Sequence, residues 1–238
     1  MMSDSKTLVV IGGSSGIGLR TAQVAAAQGA RVIIGDRDRR RLDEALKTLP
    51  QNAIARQVDA FSSTSLTAFF DDLPVVDMLF TPGTNYTVTP FAQATEEQAR
   101  SPFEGKFWPQ YWAVHAALPK LAQDASVLLM SGAASARPVK GGAAYAAANA
   151  AIEGLARGLA TELAPRRVNA IAPGTIDSDL WQARPAELRE AAFAQYRAST
   201  LLQAVGQVDD VANAAWMLLS NRYTTGTTFF VDGGYVLR

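Results

Sequence analysis

The sequence has no cysteine and a single histidine, His115, among its 238 residues. Disulfides, thiolate nucleophiles and zinc–thiolate centres are therefore excluded, and a histidine-rich metal site lacks ligands. Neither sign of charge is in excess. The 22 Lys+Arg balance 22 Asp+Glu, which leaves no field to gather nucleic acid or an anionic membrane. No apolar run approaches the roughly 20 residues that cross a bilayer, and the opening MMSDSKT carries no apolar signal segment, so a cytoplasmic location is expected. What is abundant is apolar residues, 48% against 18% charged. That composition excludes a disordered chain, and the length favours one large domain over residues 1–238.

Short β-branched or apolar runs recur with helical segments between them. This is the pattern of parallel strands joined by crossover helices. Strands are expected near Leu8–Ile11, Arg31–Ile34, Ala53–Val58, Met78–Phe80, Ser126–Met130, Val168–Ala172 and Thr228–Val231. Helices are expected at Ile17–Gln28, Arg39–Leu49, Leu66–Asp72, Phe103–Leu121, Ala143–Leu163 and Val208–Leu219. The prediction is an α/β fold, one open, mostly parallel sheet of seven strands with helices on both faces. Residues 175–204 read as irregular and as a lid over a site, with Trp181, Phe193 and Tyr196 as candidate substrate contacts beside Tyr86 and Phe91.

Gly12, Gly16 and Gly18 close the first strand and open the first helix in VVIGGSSGIG. Glycines let the backbone approach a pyrophosphate, and the N–H groups and dipole of the helix starting at Ile17 favour an anion. Asp36, at the end of the second strand, can accept hydrogen bonds from the adenosine ribose hydroxyls. A carboxylate there repels a 2′-phosphate, so NAD is expected; Arg37 beside it is the feature that would suit NADP instead. Neither Ser14 nor Ser15 in the turn adds a positive charge for such a phosphate.

Tyr145 and Asn149 lie four apart on a predicted helix and share a face. Together with GGSSGIG, Asp59 after the third strand, a strand-ending serine, Ala172–Gly174 and the terminal TGTTFFVDGG, they resemble the classical short-chain dehydrogenase/reductase family over almost the whole chain. The resemblance implies a Rossmann-type fold, a bound NAD(P) and assembly into a homodimer or homotetramer. It further implies that Asp59 approaches the adenine amino group, that Gly83 keeps its place after the fourth strand, and that Ile176 and Ser178, after Pro173 and Gly174, meet the nicotinamide carboxamide. Tyr145 matches the tyrosine that protonates a carbonyl oxygen or deprotonates an alcohol.

Several positions depart from the family pattern. Ile11 replaces a threonine, Phe80-Thr81-Pro82-Gly83 replaces Asn-Asn-Ala-Gly, and Gly132 stands at the catalytic serine with Ser131 one place earlier. Asn149 stands at the lysine, and Lys106 at the asparagine of the preceding helix. The family's Asn and Lys are thus exchanged. Without a nearby cation a tyrosine of pKa about 10 is only about a thousandth phenolate at neutral pH, so Lys106 is expected to supply the charge that Asn149 lacks. Ser131 is expected to polarise the substrate, given a bulge that turns it toward Tyr145. His115, Trp108 and Trp112 read as core or subunit contacts. An oxidoreductase acting on a small, apolar carbonyl or alcohol follows; the alternative is a dinucleotide-binding protein without turnover.

Overall fold

Alternate residues of β1 (Thr7–Ile11) face opposite sides of a sheet, and every one of them is buried. A strand with no polar face belongs at the centre of a sheet covered on both sides. A computed structural model describes residues 5–238 and places β1 there. The remaining elements follow as α1 (Gly16–Ala27), β2 (Arg31–Asp36), α2 (Arg39–Leu46), β3 (Ile54–Gln57), α3 (Ser63–Asp71) and β4 (Val76–Thr81). Next come α4 (Glu96–Pro102), α5 (Trp108–Ala117), β5 (Leu121–Met130), α6 (Ala143–Glu162) and β6 (Arg167–Pro173). The chain closes with β7 (Ile176–Asp177), α7 (Asp179–Gln182), α8 (Ala186–Ser199), β8 (Gly206–Gln207), α9 (Val208–Ser220) and β9 (Thr228–Val231).

Among the described residues, seven strands form one sheet in the order β3-β2-β1-β4-β5-β6-β9, and every neighbouring pair is parallel. Leu8 and Val10 pack with Ala22 and Ala25 of α1, Leu42 of α2 and Val211 of α9 on one face. Val9 and Ile11 pack with Phe69 and Phe70 of α3, Val114 of α5 and Ile152 of α6 on the other. The result is a doubly wound Rossmann-type sheet. Strand order reverses between β1 and β4, so a crevice opens there at the carboxyl ends of the strands. Among the described residues no helix is long and apolar enough to cross a membrane.

Two expectations need correcting. The segment 175–204 is not irregular: it holds α7 and α8, and β7 and β8 pair in parallel through Ile176 and Gly206, tying its two ends together. Its sequence from Ala186 to Ser199 is rich in Ala, Glu, Arg and Gln, good helix formers, with Phe193 and Tyr196 three apart facing inward. Both aromatics are buried, and the Tyr196 hydroxyl donates to the Asp232 carbonyl at 3.0 Å while its ring stacks on Tyr235. They belong to the core and not to a substrate wall. Trp108 and Trp112 are likewise not core, each being 39% exposed on α5.

The second correction concerns the helix expected at Phe103–Leu121. It starts earlier, at Glu96, behind a capping box between Thr95 and Gln98, and is interrupted by a π-turn at Phe103–Phe107. Pro109 explains the interruption. It has no N–H to give to the carbonyl of Gly105, four residues back, so the regular ladder cannot continue. That carbonyl instead accepts the N–H of Asn85 at 2.9 Å. Gly105 also makes room for the approach, because a Cβ there would collide with the Asn85 carbonyl oxygen. The loop after β4 is thereby docked onto the π-turn.

Candidate active site

The first turn forms a cradle at the crevice. Gly12 has φ +92, and a Cβ on it would come within 2.6 Å of the Gly83 backbone. A Cβ on Gly18 would lie 2.1 Å from the Gly12 carbonyl oxygen, so α1 packs directly on the turn. Gly16, with φ +51, faces open space. A groove of about 410 Å³ runs past Gly12, Ser15, Gly16, Ile17 and Gly18 to Gly83 on one side and Ser178 on the other. The α1 N-terminus already holds an anion: the Asp179 carboxylate accepts the Gly16 N–H at 3.1 Å, its oxygens standing in for those of a phosphate.

At the β2 end, Asp36 lines the groove, with one carboxylate oxygen accepting from Ser14 at 2.7 Å and the other from the Asp38 N–H at 3.2 Å. Ser14 is buried behind Asp36 and orients that carboxylate. Arg37 also lines the groove, its guanidinium 4.8 Å from the centre of the Phe61 ring, and Arg41 stands beside it. Asp59 is turned back on its own loop, accepting the Phe61 N–H at 3.0 Å, while Val58 and Ala60 face the groove. Pro173 ends β6, and Gly174 passes under the Tyr196 hydroxyl, where any Cβ would clash. The Ile176 side chain is buried in the core and does not line the groove.

Helix α6 carries Tyr145, Asn149 and Glu153 on one face at four-residue spacing. The π-turn swings Lys106 inward until its side chain, 3% exposed, donates to the Ser131 carbonyl at 2.8 Å and to Asn149 Oδ1 at 2.5 Å. Asn149 is fully buried, and its Nδ2 donates to the Tyr145 carbonyl at 2.9 Å. The ammonium lies 5.3 Å from the centre of the Tyr145 ring and 5.8 Å from that of Tyr86. These two rings stack, 5.0 Å apart with planes 19° from parallel. Gln110 braces the assembly: its amide bridges the N–H and carbonyl of Met130, the Thr81 hydroxyl and the Lys106 carbonyl.

Electrostatics follow from this packing. Burial pushes the Tyr145 phenol up, but the Lys106 charge, with the polar side chains of Tyr86 and Asn149 beside it, outweighs burial and holds the phenol below the usual tyrosine range. Burial draws Lys106 below the usual lysine range, against the opposing pull of Tyr145 and Glu153. Lys106, Asn149 and Tyr145, separated in sequence, are thus brought together. Asn149 acts on Lys106 and Tyr145, with its amide committed to them and not to a ribose. Ser131 is not brought to the phenol: its single hydroxyl proton is shared between the Asn149 carbonyl, at 3.0 Å, and Glu153, at 2.9 Å. Strand alternation prevails, since the Ser131 N–H still bonds β6 and the expected bulge is absent; it is Gly132 whose Cβ position lies 3.1 Å from the Tyr145 hydroxyl.

A family profile described as enoyl-(acyl carrier protein) reductase matches residues 11–236. The chain belongs to the short-chain dehydrogenase/reductase family. The short-chain dehydrogenase/reductase ATR9 of Stachybotrys chlorohalonatus is 29% identical, with 98% of each chain covered. A small-chain dehydrogenase solved in complex with NADPH is 29% identical, with a TM-score of 0.85 over 99% of this chain and 100% of that one. An NADPH-bound short-chain oxidoreductase from Pseudomonas aeruginosa PAO1, described as containing an atypical catalytic center, is 30% identical with a TM-score of 0.87 over 96% of each chain. This short-chain dehydrogenase/reductase is therefore an oxidoreductase that binds NAD(P), and its cradle, with an open Gly16 and a carboxylate already seated on its N–H, fits that cofactor's pyrophosphate.

Sequence reasoning had no signal for Gln110, Asp179 or Glu153. Tyr86 was legible only as an aromatic after β4; its place over Tyr145 depends on Pro109 and Gly105, more than eighteen residues away.

Proposed function

We propose that this protein interconverts a carbonyl and an alcohol on a small apolar substrate, with Tyr145 as general acid and base and Lys106 as its charge partner. The observation that carries the reading is the buried Lys106 ammonium, held between Asn149 Oδ1 and the Ser131 carbonyl beside the Tyr145 ring. The bound nicotinamide supplies the hydride chemistry. In reduction, the Tyr145 hydroxyl gives its proton to the carbonyl oxygen; in oxidation, its phenolate takes the proton of the alcohol. Lys106 stabilises the phenolate through space, and Asn149 fixes Lys106 through Oδ1 while its Nδ2 holds the Tyr145 main chain. The roles of the family's lysine and asparagine are thus exchanged between α6 and the π-turn.

Gly12, Ser15, Gly16, Ile17 and Gly18 hold the pyrophosphate in this reading, with Asp36 on the adenosine ribose and Ser178 at the nicotinamide. Asp36, oriented by Ser14, supports NAD as the preferred form, against which stand Arg37 and Arg41 at the rim. The chain is read as one domain in which α7 and α8 serve as the lid. A homodimer or homotetramer is supported by the exposed Trp108 and Trp112 on α5, and a cytoplasmic location completes the proposal. A screen of ketones, aldehydes and alcohols with both nucleotides, followed by absorbance of the reduced cofactor, tests it. Turnover that Tyr145→Phe abolishes supports the reading; turnover that survives in that variant removes Tyr145 from the chemistry.

A further inference from the structure

A buried ammonium calls for a counter-charge, because neutral acceptors alone do not offset its desolvation. The acceptors of Lys106 are both neutral, the Ser131 carbonyl at 2.8 Å and Asn149 Oδ1. A negative group is reached through the first of them. The Ser131 hydroxyl proton is shared between the Asn149 carbonyl, at 3.0 Å, and the carboxylate of Glu153, at 2.9 Å. Ser131 is only 2% exposed, so water does not compete for these bonds. Glu153 itself follows Asn149 by one turn of α6, on the face that carries Tyr145. An ammonium and a carboxylate are therefore bonded to one serine, the first through its main chain and the second through its side chain.

We propose that Glu153 is a positioning residue and the counter-charge of Lys106: its carboxylate fixes the serine whose carbonyl seats the ammonium, and its negative charge keeps that ammonium protonated beside Tyr145. The inference rests on the proposed role of Lys106 toward Tyr145. The other groups around the ammonium do not supply a standing negative charge. Tyr145 from α6 and Tyr86 from the loop after β4 present their rings to it, and Asn149 and Gln110 contribute neutral amides to its side chain and main chain. Arg157, one turn beyond Glu153, is exposed and lies against Gly154. Burial draws Lys106 below the usual lysine range, and the charges of Tyr145 and Glu153 oppose that fall. Tyr145 opposes it only as a phenolate, so until the phenol ionises the opposition comes from Glu153. Ser131, one place before the position of the family's serine, is thereby the link between the two charges.

Glu153→Gln keeps the length and an acceptor for Ser131 and deletes the charge. Nuclear magnetic resonance of protein labelled with carbon-13 at lysine Cε follows the proton on Lys106 without turnover. The lysines of the chain are Lys6, Lys47, Lys106, Lys120 and Lys140, and the Lys106 signal is the one missing from Lys106→Met. In nucleotide-free Glu153→Gln, Lys106 should lose its proton about one pH unit lower than in the unaltered protein, leaving about tenfold less ammonium above that midpoint. Glu153→Asp, which keeps the charge, should recover most of the shift, and Ser131→Ala, which cuts the link, should show a smaller fall in the same direction. An unmoved Lys106 titration in Glu153→Gln overturns the proposal. An equal fall in Glu153→Asp identifies a packing effect and also overturns it. Where Glu153→Gln does not fold, Ser131→Ala decides, and a Lys106 midpoint unchanged there overturns the link. If no substrate turns over in the unaltered protein, the proposed function fails, while the titration still decides the role of Glu153.

Discussion

Replacing Lys106 with methionine removes the charge and keeps most of the apolar stem, so it isolates what the ammonium does for Tyr145. With the charge taken at the ring centre, 5.3 Å from Nζ, and an effective dielectric of about 20, the interaction is worth about 3 kcal/mol. That corresponds to about two pKa units on the phenol. Folding should respond less. The variant leaves the Ser131 carbonyl and Asn149 Oδ1 without a donor, at about 1–3 kcal/mol each, but it relieves the desolvation of a buried ammonium, which costs several kcal/mol. The assay is the pH profile of kcat/KM for alcohol oxidation. In Lys106→Met the limb that reports Tyr145 should move about two units toward alkali, with activity at neutral pH falling about a hundredfold. A limb at its original position, in a protein that melts as before, refutes the charge-partner assignment.

The exchange itself is tested by restoration: Lys106→Asn should lose activity that Lys106→Asn with Asn149→Lys recovers in large part, measured as kcat/KM under one set of conditions. Because the Lys106 charge helps hold Tyr145 below the usual tyrosine range, oxidation should rise with pH through the Tyr145 ionisation, whereas reduction should decline once Tyr145 is deprotonated, read from the pH profiles of kcat/KM in the two directions. Gly132→Ala should lower kcat several-fold with nucleotide affinity intact, because the new methyl would press on the Tyr145 hydroxyl and Asn149 Oδ1 from 3.1 Å. Asp36→Ala should narrow any preference for NAD(H) over NADP(H), a comparison made by calorimetry. Gln110→Leu should cost about 3 kcal/mol by stranding the Met130 amide and carbonyl, seen as a fall in Tm of roughly 6–12 °C.

The parts of this molecule legible in the sequence are those set by local chemistry. Apolar runs such as Leu8–Ile11 and Ser126–Met130 became central strands because covering helices require them to be apolar on both faces. Gly12 and Gly18 announced a turn because only glycine tolerates the backbone contacts found there. The lost detail lies where one residue acts through another far away. A proline at 109 frees a carbonyl at 105, that carbonyl captures Asn85, and Tyr86 is delivered to Tyr145. Nothing at Tyr86 itself carries that information. Ser131 went astray for the opposite reason: the simple alternation of a strand held where a bulge had been expected.

The carboxylate of Asp179 on the Gly16 N–H changes what it means for a nucleotide to arrive. On the proposed reading the incoming diphosphate would meet a binding point occupied by the protein's own anion, so association would be an exchange of one negative group for another. Observed affinity is then scaled by the fraction of molecules in which Asp179 has left its seat. Asp179 belongs to the same short helix as Trp181, whose ring carries Arg184 and leans on Phe193. On the proposed reading, in which α7 and α8 form the lid and the α1 turn holds the pyrophosphate, displacing that one carboxylate would act on the helix that carries Trp181, so nucleotide binding and the shape offered to the substrate would be linked through a single side chain.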